Sequence, residues 1–185
     1  MTWSNSLLER MEELFDSDES WGIPSEPECE IGQRTKTLHL AVFVQPFLDF
    51  LLDGRKTVES RFSINRCPPY ECVESGDLVL VKQSGGPIVA VAEVSNVWFY
   101  ELDSEARDFI RSRFSRQLCV DGPEFWERKA ASCYATLMKF SRVEPVEPIP
   151  CSKRDRRGWV VLGPSQSQPS LFDQPASKAG KVEGL

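Results

Sequence analysis

The chain has 185 residues, 41% hydrophobic and 27% charged, and a formal net charge of −6. That is the make-up of a soluble globular domain with extensions, and no apolar run approaches the roughly 20 residues that would span a membrane. The acidity does not exclude an anionic ligand: residues 1–35 hold nine acidic and two basic side chains, a local −7, leaving +1 for the remaining 150.

In chain order, the first fifteen residues predict an amphipathic helix. Leu7, Leu8, Met11, Leu14 and Phe15 fall at helical spacing, with Glu9, Arg10, Glu12 and Glu13 opposite. Residues 16–34 are acidic and contain two prolines, which predicts a linker and makes residues 1–35 an extension. No basic-then-apolar leader opens the sequence, so a cytoplasmic setting with reduced thiols is expected. The six cysteines include no Cys-x-x-Cys pair and His39 is the single histidine, so neither a metal nor a cofactor is expected. His39 lies in a strand-like run and reads as a structural residue.

Residues 36–163 read as a compact α+β domain. Strands are expected at 38–44, 57–62, 77–83 and 88–94, the last two joined as a hairpin through Gly85 and Gly86. A short helix is expected at 46–53. Two more interrupt the sheet, one at 103–115 and one opening at the cap-box spacing from Asp121 and running to Ala131. Residues 134–143 and 159–162 return to strand, and the aromatic cluster Trp98, Phe99 and Tyr100 reads as core. Residues 164–185 lose all periodicity and are rich in Ser, Gln, Pro and Gly, which predicts a disordered tail.

The segment from Gly54 to Arg61 carries the chemistry. Gly54 sits where the apolar helix should stop, at a position that tolerates positive φ. On the strand that follows, alternation puts Thr57, Glu59 and Arg61 on one face and Val58, Ser60 and Phe62 on the other, with Lys56 at the entrance. A hydroxyl, a carboxylate and a guanidinium in one row suit anion binding, recognition of a base amino group or proton transfer. A plain salt-bridged strand is the bland alternative. Lys56 reads as a ligand contact whose removal should abolish binding and leave the fold intact, whereas a merely solvent-facing lysine would change stability by no more than about 0.5 kcal/mol and binding not at all.

The pattern Gly54-x-Lys56-x-x-Glu59-x-Arg61, with Gln45-Pro46-Phe47 upstream, resembles the signature of the ASCH family. The resemblance spans about residues 38–162 and implies a small PUA-like β-barrel with inserted helices; periodicity alone says only mixed α+β. It also implies a nucleic-acid (RNA expected) or modified-nucleotide binding module, with Gln45, Lys56, Thr57, Glu59 and Arg61 forming the pocket. In one branch of the family the motif lysine and a threonine three residues later carry amide hydrolysis of acetylated nucleosides. This chain matches the lysine with Lys56 and has Glu59 at the threonine position, so a hydrolase here would have to use Thr57. The enzymatic alternative is such an amidohydrolase, or a metal-independent ribonuclease, with Lys56 and Glu59 as the catalytic pair.

Two further features lie toward the C-terminus. Lys153, Arg154, Arg156 and Arg157 precede Trp159 and suit a phosphate-contacting loop beside a stacking surface, or a solvated charged turn. In the tail, Gln168, Leu171 and Phe172 resemble the peptide that binds the bacterial sliding clamp. That motif gives a third reading, an adaptor tethered through its tail.

Overall fold

The structure, a computed structural model, describes residues 36–153 and 156–162. The expected N-terminal helix, acidic linker and C-terminal tail lie outside the described residues. β1 (Leu38–Phe43) leads through a cis Gln45–Pro46 bond into α1 (Phe47–Leu52), which buries Leu48 and Leu51. α1 stops as its pattern requires: Gly54 takes φ +76°, a conformation in which a side chain would be strained. β2 (Val58–Ser63), β3 (Leu78–Gln83) and β4 (Ile88–Glu101) follow.

α2 (Ser104–Leu118) begins where the Asp103 side chain accepts a hydrogen bond from Ala106 N at 2.8 Å. α3 (Pro123–Arg128) is shorter than the helix expected to reach Ala131, and its N-cap, Gly122, makes no side-chain cap. The expected cap box is therefore replaced by Pro123 at the first turn, whose fixed φ suits a helix start and which has no N–H to satisfy. β5 (Tyr134–Ile149) and β6 (Trp159–Leu162) complete the domain.

The six strands form one mixed sheet in the order β2-β5-β4-β3-β1-β6, with β1 and β3 parallel and the other pairs antiparallel. Both faces of its centre are buried. Leu38, Leu40, Leu78 and Leu80 join Val160 and Leu162 on one side; Ala41, Phe43, Val79 and Val81 join Leu48, Leu51, Met138 and Trp159 on the other. A third cluster packs Ile110, Phe114 and Leu118 of α2 onto Val58, Ala135 and Leu137. The sheet is curled rather than closed by a ladder: β2 and β6 are its edges, yet Arg61 on β2 reaches the backbone of Val42 in β1 and of Gly158 just before β6. This curled half-barrel sheet is consistent with the small barrel expected.

β4 and β5 run well past their expected ends at Val94 and Val143. Register shifts near Val94 and Asn96 absorb the residues that break the alternation, so the strand continues through what reads as an interruption. β5 accommodates Pro145 and Pro148 because β2 pairs only with residues 134–139; beyond them, one edge of β5 is free of that ladder. The aromatic cluster lies on β4. Trp98 packs on Phe114 and Tyr100 near Phe109, while Phe99 is partly exposed beside Tyr70.

Candidate functional site

A cavity of about 460 Å³ opens at the seam between β2 and the β1/β6 edge. Strand alternation aims Glu59 and Arg61 of β2 into the concave side, where Arg61 pairs in register with Thr136 and Glu59 with Met138. Phe43, Phe47, Phe62, Phe125 and Trp159 give it aromatic walls, with Lys56, Glu59, Arg61 and Lys129 as its charged lining. Three cations against one carboxylate leave the lining with a charge excess of +2 when all four are ionised.

Lys56 is not solvent-facing. It is 4% exposed, and its ammonium lies 3.2 Å from Leu118 O at the C-terminal end of α2 and 3.2 Å from Glu59 Oε2. The carbonyl end of a helix favours that charge, and the Phe47 ring lies beneath it at 5.3 Å. Glu59, 6% exposed, uses its other oxygen toward Arg61 Nε at 2.9 Å, an ion pair without the angle of an aligned hydrogen bond. Arg61 then donates to Gly158 O at 3.2 Å and Val42 O at 3.0 Å, with Phe43 and Trp159 flanking its guanidinium. Gly158 gives that guanidinium room, since a Cβ there would sit 3.2 Å from Arg61 Nη1, a tight contact.

Trp159 is held from behind. Its indole N–H donates to His39 Nδ1 at 3.2 Å, and His39 Nε2 lies 3.1 Å from Asp77 Oδ2. An indole can only donate, so Nδ1 is the acceptor and Nε2 carries the proton given to Asp77. Burial would raise the Asp77 carboxyl. Hydrogen bonds from His39 and from the amides of Thr37 and Glu74 outweigh it and hold Asp77 below the ordinary carboxylate range.

The other sequence candidates stand apart. Thr57 shares the parity of Glu59, but it precedes the strand, is exposed and does not line the cavity; its amide bonds Gln117 O. Gln45 is exposed, with its side chain on Asp49 at 2.9 Å. Lys153 folds back onto Arg157 O at 2.5 Å, Arg156 and Arg157 are exposed, and Arg154 lies outside the described residues. The loop reaches the cavity through the next two residues, Gly158 and Trp159, which line it. Gln168, Leu171 and Phe172 also lie outside the described residues.

Lys129 is the residue sequence reasoning missed. Phe125 and Lys129 sit at i,i+4 across the end of α3, a spacing that places both on one side and could have drawn attention to them. Both line the cavity. Burial, then the nearby Arg128 and Arg61, push the Lys129 ammonium below an ordinary lysine, opposed in part by Glu59.

No family model matches the sequence, and no curated protein matches it. Among solved structures, the chain is similar to ASCH from Zymomonas mobilis, at 13% identity over 67% of this chain and 86% of that one, with a TM-score of 0.54. A serine-to-alanine variant of that protein matches at 16% identity over 60% and 72%, with a TM-score of 0.50. The fold is ASCH-like, as the motif resemblance implies.

Proposed function

We propose that this domain binds nucleic acid, with RNA the expected form, or a modified nucleotide, and that the ligand enters the cavity at the seam of the curled sheet. The observation that carries this reading is the lining itself: five aromatic rings with a cationic excess in about 460 Å³. Aromatic faces accept a base by stacking and positive groups accept its phosphate, while a volume of this order suits a compact organic ligand. Lys56, Glu59 and Arg61 form the polar wall, and the loop carrying Lys153, Arg154, Arg156 and Arg157 is suited to guide backbone phosphate toward Trp159. Gln45 and Thr57 belong to a rim at most. In this reading Lys56 and Glu59 shape the wall, since the ammonium already faces Leu118 O and Glu59, and both Glu59 oxygens face a cation.

The test is a binding screen of the full chain against labelled single-stranded RNA, single-stranded DNA and acetylated nucleosides, with chromatography for products. Binding without turnover supports the module. Release of a deacetylated nucleoside or cleaved RNA would move the assignment to the hydrolase or ribonuclease with Lys56 and Glu59 as catalytic groups. Failure to bind any of them would end the reading. A sliding clamp as partner of Gln168, Leu171 and Phe172 is a separate proposal, tested by calorimetry of the tail peptide against purified clamp.

A further inference from the structure

The three cations of the cavity differ in what already occupies them. Lys56 donates to a carbonyl and faces Glu59, while Arg61 spans two carbonyls and the same carboxylate. Among the described residues the Lys129 ammonium has neither a hydrogen bond nor an ion pair; it lies 6.0 Å from the Phe62 ring centroid and 5.9 Å from that of Phe125. Its backbone is nonetheless fixed. Arg107 of α2 donates to Lys129 O at 3.2 Å and also reaches Ser132 O, and Ser132 N donates to Lys129 O at 3.0 Å.

A half-buried ammonium on a fixed backbone, between aromatic faces and touched by the Glu59 charge only at a distance, has unused donors, whereas the other two cations of the lining are each held by backbone carbonyl oxygen and by Glu59 directly. The electrostatic cost of that charge is visible in its lowered affinity for the proton. An anion entering the cavity would relieve it, and a neutral ligand would not.

We propose that Lys129 is the ligand-contacting cation of this cavity, and that it makes the site select a phosphate-bearing nucleotide over the corresponding nucleoside. This rests on the nucleotide reading above and names the part of the ligand the free ammonium takes. The base then lies against the rings, and its phosphate, either terminal or part of a chain, lies at Lys129. Lys56 and Arg61 keep their internal partners.

Calorimetry of the full chain with the four ribonucleosides and their 5′- and 3′-monophosphates tests this at neutral pH. For at least one base, the monophosphate should bind about tenfold or more tightly than the nucleoside, the scale of one charge-assisted hydrogen bond. Lys129→Met should abolish that preference, bringing monophosphate affinity down to that of the nucleoside. Lys129→Arg should keep most of it, and Arg128→Met, an exposed neighbour that does not line the cavity, should leave it intact. Nucleosides that bind as well as their monophosphates would overturn this inference and leave the nucleotide reading standing. So would a preference that survives Lys129→Met, or an equal loss of both ligands with a fallen melting temperature, which would make Lys129 structural. Absence of binding by every nucleoside and nucleotide would overturn both.

Discussion

Asp77 accepts from Thr37 N through one oxygen and from His39 and Glu74 N through the other, so each oxygen faces donors. An asparagine there would turn an amide group toward at least one of them. Asp77→Asn should therefore cost about 2–3 kcal/mol in chemical denaturation, the scale of a buried donor left unmatched. Because the folded-state Asp77 carboxyl lies below its unfolded value, its stabilising contribution is full above the ordinary carboxylate range and is lost as pH falls through the folded value. Acid unfolding of the wild type should include that loss, and the Asn variant should lack it. Glu59→Gln leaves the buried Lys56 ammonium without its counter-charge and should destabilise by about 3 kcal/mol. A change within about 0.5 kcal/mol would mean that Lys56 behaves as a surface lysine. The sequence places Lys56 beside Glu59, but its burial depends on the end of α2, some sixty residues away in the chain, reaching over it.

Along β2, alternation brings Glu59 and Arg61 together on one face, at the cavity, and puts Val58 beneath α2, but Phe62, of the same parity as Val58, lines the cavity as well. The same alternation assigned Thr57 to that face and failed, because the ladder starts one residue later. The ends of β4 and β5 were hidden for another reason, since bulges restart the alternation and a free edge tolerates proline. The consequence that matters most at this scale is the seam. Arg61 bridges from β2 to the carbonyls of Val42 and Gly158, joining two sheet edges that share no ladder. Arg61→Gln should lose about 2 kcal/mol, two hydrogen bonds of ordinary net worth. Amide exchange should quicken at β6 while α2 keeps its protection. Unchanged exchange at residues 159–162 would show that the seam holds without the guanidinium. Asp103→Ala is a more local change, expected to cost about 1 kcal/mol through the lost cap of α2.

Over the whole molecule, the cavity gathers side chains from Val42 to Trp159, and only the short stretch containing Lys56, Glu59 and Arg61 is close enough in sequence to be read as a motif. Phe43, Phe125, Lys129 and Trp159 join it because the sheet curls and α3 brings Phe125 and the adjoining Lys129 to its lining, which no local pattern encodes. The chain-wide charge of −6 is misleading for the same reason, since the cavity is cationic while much of the acidity lies in residues 1–35. If a polynucleotide is the ligand, affinity should fall steeply with salt, and replacing Arg156 and Arg157 should flatten that dependence by roughly one unit of log–log slope per phosphate contact removed. The central claim is that the ligand occupies the seam cavity. The most direct measurement is amide and side-chain NMR shift mapping of the full chain titrated with a short single-stranded RNA. The account predicts that the largest shifts fall on Glu59, Arg61, Phe125, Lys129 and the Trp159 indole. Binding whose shifts avoid these residues and collect on another surface would contradict it.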